Sequence, residues 1–185
     1  MIKHYSIVIH PQNSIIELFK TLKSKLFVKI GTYGSYNSIA HITILEFDAT
    51  EEELRFIIEK LERIALREIS FDAVFDKVIC SDLSKAIFIL PNKSGNEFFK
   101  KLLVKVRKQI KGDKNKYNAH LTIGRKLKPE QVKKSKGIFQ NVKFDFHCNQ
   151  LALRILNKDI GQFEVLKTFP FSGKPDNTEQ LSFGF

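Results

Sequence analysis

Two short segments of the sequence each place a threonine two residues after a histidine, inside an apolar run. The first is Ala40-His41-Ile42-Thr43-Ile44 and the second is Ala119-His120-Leu121-Thr122-Ile123. In an extended chain, residues i and i+2 point to the same face. Each segment is therefore predicted to be a strand with an imidazole and a hydroxyl on one face and apolar side chains on the other.

Two imidazoles and two hydroxyls suit phosphodiester chemistry. Histidine titrates near neutral pH, so one ring can accept a proton from the attacking water or hydroxyl while the other donates one to the leaving oxygen. The hydroxyls can donate hydrogen bonds to the non-bridging oxygens, where negative charge develops. No metal is required. A zinc site on the same two histidines is less favoured, because no third ligand follows at a useful spacing.

The two motifs occupy matching places in a long internal repeat, whereas a single His-x-Thr is more often structural than catalytic. His120 follows His41 by 79 positions, and three other residues recur 80 positions later: Pro11 as Pro91, Ser14 as Ser94 and Glu17 as Glu97. Each half reads as strand, helix, His-x-Thr strand, helix and strand, and the last strand contains Phe-Asp (Phe71-Asp72 and Phe144-Asp145). We interpret this as an internal duplication whose halves associate about a pseudo-twofold axis, with the two motif faces opposed.

Helix starts are predicted from capping boxes, in which a serine or threonine precedes a glutamate by three positions. The three matches are Ser14 with Glu17, Thr50 with Glu53, and Ser94 with Glu97. Apolar residues follow each box at helical spacing.

Length and composition predict one domain, or two small lobes that share a core, since the chain has 185 residues of which 43% are hydrophobic. No apolar run reaches the roughly 18 residues of a membrane-spanning helix, and the N-terminus lacks the regions of a signal peptide. Cys80 and Cys148 are isolated, so neither a disulfide framework nor a zinc site is expected. We expect a cytoplasmic protein that does not associate with membranes.

The net charge of +11 has two interpretations. One is a solvated, lysine-rich surface. The other is attraction for a polyanion such as RNA or a nucleotide. Charge alone does not separate the two.

The segments His41-Ile42-Thr43-Ile44 and His120-Leu121-Thr122-Ile123 resemble the twin signatures of the two-histidine phosphoesterase superfamily. This superfamily includes 2′,5′ RNA ligase-like proteins and RNA 2′,3′-cyclic phosphodiesterases. The resemblance covers roughly Tyr5 to Phe171. It implies a bilobal α+β fold, with an antiparallel-type sheet and flanking helices in each lobe and a central cleft. It also implies metal-independent chemistry without a cofactor and an active set of His41, Thr43, His120 and Thr122.

The single bilobal domain is expected to span residues 1–171, with halves of about 1–80 and 81–171, and residues 172–185 to form a C-terminal tail. In the tail, Gln180-Leu181-Ser182-Phe183 faintly resembles the peptide by which bacterial proteins dock on sliding clamps. Gly184 interrupts that pattern, and the alternative is a tail that packs on its own domain or is disordered. We expect the protein to be a monomer.

Substrate-binding residues are sought around the two motifs. Arg125 resembles a basic residue often seen after the second signature. Tyr33, Tyr36 and Tyr117 precede the motifs in loops, where a ring could stack on a base, with ordinary loop packing as the alternative. Lys116 belongs to a basic cluster that could steer phosphate to the cleft, with a solvated loop as the alternative.

The predicted activity is metal-independent hydrolysis of a 2′,3′-cyclic phosphate at an RNA or nucleotide end. The usual outcome in the family is a 2′-phosphate. Two alternatives stay open: a non-catalytic RNA-binding module, and a 2′,5′ RNA ligase that uses the same residues. The sequence does not assign the acid and base roles to the two histidines.

Overall fold

The structure, a computed structural model, describes residues 1–113 and 118–174, and in these residues it contains two four-stranded sheets and four α-helices. In chain order the elements are β1 (Lys3–Ile9), α1 (Asn13–Ile30), β2 (Ile42–Ala49), α2 (Glu51–Arg67), β3 (Phe71–Ser81), β4 (Ala86–Pro91), α3 (Lys93–Gln109), β5 (Leu121–Gly124), α4 (Pro129–Ser135), β6 (Phe144–Cys148), β7 (Gln150–Asn157) and β8 (Gln162–Pro170).

The two sheets have matching internal orders. The first is β2-β1-β7-β8 and the second is β5-β4-β3-β6, and neighbouring strands are antiparallel throughout. Each sheet therefore has a motif strand, β2 or β5, at one edge, next to the first strand of the corresponding sequence half. The predicted α+β architecture with two sheet-containing lobes is confirmed.

The two sheets do not each consist of one half of the internal duplication. β3 belongs to the first half but pairs with β4 and β6, and β7 of the second half pairs with β1. The repeat suggested that the Phe-Asp pairs at 71–72 and 144–145 occupy equivalent positions. The strand pairing shows that they do not. They lie on adjacent strands of one sheet, where Asp72 is opposite His147.

One of the three predicted capping boxes is confirmed. Thr50 begins α2: its hydroxyl accepts from the Glu53 N–H, and the Glu53 carboxylate accepts from the Thr50 N–H at 2.8 Å. The other two are wrong, because α1 and α3 begin at Asn13 and Lys93, so that Ser14 and Ser94 lie inside the helices and do not cap them. Their N-caps are Gln12 and Asn92, and the Asn92 side chain accepts from Gly95 N–H at 2.9 Å.

Phenylalanine rings hold helices α1 and α3 on the second sheet. Phe19 of α1 meets Phe144 edge-on at 5.7 Å between ring centroids, and Phe99 of α3 meets Phe146 at 6.0 Å. The predicted apolar faces of both motifs are also buried in the core: Ala40, Ile42, Ile44, Ala119, Leu121 and Ile123. The opposite face of each motif strand is thereby left for the cleft.

The loops that follow α1 and α3 join the two halves of the chain. Ser35, in the loop before His41, accepts a hydrogen bond through its Oγ from the Arg125 N–H at 2.9 Å. Asp113, in the loop before the second motif, donates its N–H to the Glu46 carbonyl on β2 at 2.8 Å. The loop before the first motif is thus hydrogen-bonded to Arg125, which follows the strand of the second motif. The loop before the second motif is hydrogen-bonded to β2, the strand of the first motif.

Replacing Gly112 with alanine tests this anchoring. A Cβ at position 112 would lie 2.6 Å from the Glu46 carbonyl oxygen, so the loop must move and strain the hydrogen bond from Asp113. We expect Gly112→Ala to lower the free energy of unfolding by about 1–3 kcal/mol, measured by urea titration. Gly34→Ala is the matched control, because a Cβ there meets nothing within 4 Å. Equal stability of the two variants would contradict this role of the loop.

Candidate active site

A cleft of about 600 Å³ lies between the two motif segments. It is lined by the four motif side chains and by Arg125, which the sequence singled out: His41, Thr43, His120, Thr122 and Arg125. The motif side chains are partly exposed there, whereas the alternating apolar residues are buried. The two His-x-Thr faces, which occupy matching positions in the repeat, therefore line the same cavity.

Both imidazoles are oriented by the same local contact. His41 Nδ1 lies 2.6 Å from the Ile39 carbonyl oxygen, and His120 Nδ1 lies 2.8 Å from the Asn118 carbonyl oxygen. A carbonyl oxygen only accepts hydrogen bonds, so Nδ1 carries the hydrogen in each ring. Proton exchange with a ligand therefore falls to Nε2 of both histidines.

A strand irregularity accompanies each threonine. Thr43 is opposite Val8 of β1, and Thr122 is opposite Phe88 of β4. The register of the pairing shifts directly before Val8 in one sheet and directly before Phe88 in the other. Such bulges re-aim side chains and are common next to active sites. Here they occur at equivalent places and adjust the cleft face of both motif strands.

Burial and nearby positive charges hold the His41 ring neutral. Burial in the cleft wall, followed by the Arg154 guanidinium, lowers the pKa of His41 from 6.5 to about 3; Arg125 and Lys23 act in the same direction, and the bond to the Ile39 carbonyl opposes them. His41 is therefore unprotonated at neutral pH and able to accept a proton through Nε2.

Arg154 is a functional candidate that sequence reasoning missed. It is 5% exposed on β7, donates from Nη2 to Ser6 Oγ at 3.1 Å and lies 5.0 Å from the centre of the Phe163 ring. Burial lowers the pKa of Arg154 to about 10. Burial and the Arg154 charge also lower the pKa of His10. The available signal was a single arginine inside the apolar run of residues 151–156.

Phe88 is the second residue that was missed. Its ring lies in the cleft wall, 5.3 Å from the His120 ring between centroids. The 80-residue offset pairs Phe88 with Val8, so the repeat contained a signal for this position. Further cleft-lining residues outside the motifs include Glu46, Ser84, Leu90, Asp113 and Asn118.

The tyrosines predicted to stack on a base are not brought to the cleft where the structure describes them. Tyr33 is only 9% exposed, its hydroxyl donates to the Lys23 carbonyl at 3.2 Å, and it does not line the cavity. The prediction for Tyr33 is wrong because its ring packs into the core. Tyr36 instead contacts the rings of Phe27 and Tyr33. Tyr117 and Lys116 lie outside the described residues.

Two other histidines lie away from the cleft lining and contact carboxylates. His4 Nδ1 is 2.8 Å from Asp48 Oδ1, and His147 Nδ1 is 2.6 Å from Asp72 Oδ1. Within residues 1–113 and 118–174, no group of three or more His, Cys, Asp or Glu side chains could hold a metal ion. In the same part of the chain, no helix is long and apolar enough to cross a membrane.

Comparison with known proteins gives one family match and several structural matches. The model of the 2′-5′ RNA ligase superfamily matches residues 11–160. A search of curated proteins finds no match.

Three solved structures illustrate the structural likeness. LigT of E. coli complexed with NADP+ is 14% identical with a TM-score of 0.70, over 92% of this chain and 99% of LigT. TT0787 of Thermus thermophilus is 16% identical with a TM-score of 0.66, over 93% of this chain and 100% of TT0787. Usb1 of Kluyveromyces marxianus is 14% identical with a TM-score of 0.51, over 91% of this chain and 98% of Usb1. LigT has also been solved with phosphate, 3′-AMP and ATP. At these identities the likeness shows a shared fold.

The low pKa of His41 predicts a loss of stability in acid. Between pH 6.5 and about 3, the unfolded chain binds a proton at this histidine that the folded chain does not, so the free energy of unfolding falls as pH falls. From pH 7 to pH 5 this contribution reaches at most about 2 kcal/mol, and less where cleft water solvates the ring. We expect His41→Asn to remove it, so that urea titrations show a weaker pH dependence than in the wild-type protein.

Thr43→Val is the control for this measurement, because it alters the same cleft without removing a titrating group. It should keep the wild-type difference in unfolding free energy between pH 7 and pH 5. The same pH dependence in His41→Asn and in the wild-type protein would show that His41 titrates normally.

Proposed function

The chain belongs to the 2′-5′ RNA ligase superfamily, and from its cleft we propose that it is a phosphodiesterase that opens a 2′,3′-cyclic phosphate at an RNA or nucleotide end, leaving a 2′-phosphate. The observation that carries this proposal is the pair of identically oriented imidazoles on one cavity. The Nδ1 atom of each ring, in His41 and in His120, is hydrogen-bonded to a backbone carbonyl, so Nε2 of each ring is left to exchange protons in the cavity.

The acid and base roles are assigned from the electrostatics of His41. Burial and then the Arg154 charge lower the pKa of His41, so its ring is neutral at pH 7, and we assign it as the base: Nε2 accepts a proton from water as the water oxygen attacks phosphorus. His120 is then the acid and gives the proton on its Nε2 to the 3′ oxygen as the bond from phosphorus to that oxygen breaks. The product has a free 3′-hydroxyl and a 2′-phosphate, and the two histidines have exchanged protonation states.

The remaining cleft residues stabilise the phosphate. Thr43 and Thr122 donate their hydroxyl hydrogens to the non-bridging oxygens, which gain charge in the transition state. The Arg125 guanidinium pairs with the phosphate from the cleft wall, a contact suited to its planar donor groups. The complexes of LigT with phosphate and with 3′-AMP support a nucleotide phosphate as a ligand of this fold.

The family description favours RNA ligation as a second candidate. If a 5′-hydroxyl replaces water, the same steps join its oxygen to phosphorus and release the 3′ oxygen, which gives a 2′,5′ linkage. His41 again accepts the proton of the nucleophile, and His120 protonates the leaving oxygen. The net charge of +11 favours an RNA partner in both reactions.

Asparagine variants of the two histidines test the mechanism. We expect His41→Asn and His120→Asn each to lower kcat on a 2′,3′-cyclic nucleotide by about 10²–10⁴-fold, because each removes one proton-transfer group. His147→Asn is the matched control, since it makes the same substitution outside the cleft lining and should keep wild-type turnover. Circular dichroism checks folding. A folded His41→Asn or His120→Asn protein with near wild-type kcat would refute the two-histidine mechanism.

The product and its dependence on metal are tested separately. With 2′,3′-cyclic AMP in EDTA, we expect undiminished turnover to 2′-AMP, resolved from 3′-AMP by chromatography. Loss of activity on chelation that added metal restores would indicate a metal-dependent reaction instead. Addition of an oligonucleotide with a 5′-hydroxyl distinguishes the second candidate, because ligation yields a longer strand with a 2′,5′ bond. Binding of RNA without either product would identify a non-catalytic binding module.

A further inference from the structure

Lys23 is a buried lysine on α1 whose ammonium group is fully hydrogen-bonded. The residue is 3% exposed. Its Nζ donates to the Ser35 carbonyl at 2.8 Å, the Ser38 carbonyl at 2.6 Å and the Ser38 Oγ at 2.7 Å. An ammonium group has three hydrogens, and here each has an acceptor. Since burial of a charge is costly unless it is well hydrogen-bonded, the three acceptors stabilise the protonated side chain in this position.

The residues that Lys23 binds lead directly into the cleft. Ser38 precedes Ile39, whose carbonyl orients the His41 ring at 2.6 Å. Ser35 accepts the hydrogen bond from the Arg125 N–H. Lys23 itself does not line the cavity. It therefore lies behind the segment that connects the His41 ring to the backbone of Arg125.

We propose that Lys23 is a positioning residue for the cleft: its ammonium group fixes the segment Ser35–Ser38, so that His41 keeps the orientation in which it faces the substrate. Its catalytic readout rests on the proposed phosphodiesterase function. Its structural readout, the hydrogen bond of the His41 ring, does not.

The same contacts make this positioning sensitive to alkaline pH. A neutral amine has two hydrogens and a lone pair, so the Ser38 hydroxyl, which donates to the Ser35 carbonyl at 2.8 Å, would have to turn and donate to Nζ instead. Burial and then the Arg125 charge lower the pKa of Lys23 to about 8. The other titratable groups around it are Tyr33, whose hydroxyl donates to the Lys23 carbonyl, and the neutral His41. Loss of the proton near pH 8 therefore rearranges the hydrogen bonds that hold the segment.

Lys23→Met removes all three hydrogen bonds and places an unbranched apolar side chain in the buried position. We expect kcat on a 2′,3′-cyclic nucleotide to fall by about 10–100-fold with KM changed far less, because a misplaced base slows the chemical step. In proton NMR of the free protein, the hydrogen on His41 Nδ1 should exchange faster with water than in the wild type. Lys20→Met is the matched control, since Lys20 lies one turn earlier on the helix surface and pairs with Glu17.

The pH dependence of the His41 Nδ1 hydrogen signal distinguishes a positioning role of Lys23 from a merely structural one. In the wild-type protein the His41 Nδ1 hydrogen signal should change with a midpoint near pH 8, and in Lys23→Met this step should be absent. Lys23→Arg keeps the charge and should restore part of kcat. If Lys23→Met does not fold, Ser38→Ala removes one acceptor and should shift the same signal by a smaller amount.

Two outcomes are separable. Wild-type kcat together with a wild-type His41 signal in Lys23→Met, or in Ser38→Ala where the former is unfolded, overturns the positioning role. A wild-type protein that hydrolyses no cyclic phosphate overturns the proposed function, while the His41 signal still decides whether Lys23 orients the ring.

Discussion

The carbonyl two residues before each motif histidine fixes that ring, and much of the structure serves to hold these carbonyls in place. Ile39 and Asn118 lie just outside the strands. Because they receive no support from a strand ladder, their loops must be fixed by other bonds. Lys23 fixes the first loop from behind, and Asp113 ties the second to β2. The geometry of both imidazoles therefore depends on contacts made by irregular backbone.

Hydrogen bonds from the second half of the chain to β2 limit how far the walls of the cleft can separate. Asp113, in the loop after α3, donates its N–H to the Glu46 carbonyl at 2.8 Å. Helix α3 adds a contact, since Arg107 Nε donates to the Ile44 carbonyl on β2 at 2.8 Å. A cleft with walls joined in this way is preorganised, which favours electrostatic stabilisation of a transition state without reorganisation.

Local patterns in the sequence predicted the motif faces, most elements and the α+β fold, because alternation and helical periodicity are set by neighbouring residues. The assignment of β3 and β7 to sheets was not predictable in this way, since strand partners depend on long-range packing. Tyr33 was misplaced for the same reason. Lys23 had a signal that was not used: it lies four residues after Phe19 and three before Leu26, on the buried stripe of α1.

Divergence between the repeated halves accounts for the unequal environments of two equivalent histidines. In the repeat, Phe19 of the first half is equivalent to Phe99 of the second. By the same offset, Lys23 is equivalent to Leu103, which is also buried. One helix thus carries a buried cation beside its motif where the other carries a hydrocarbon. Burial and then the Arg154 charge lower the pKa of His41, and Arg125 and this cation make smaller contributions in the same direction. The proposed reaction needs one ring that accepts a proton and one that donates it, and this substitution gives the first half a buried charge that has no counterpart at the matching position of the second half.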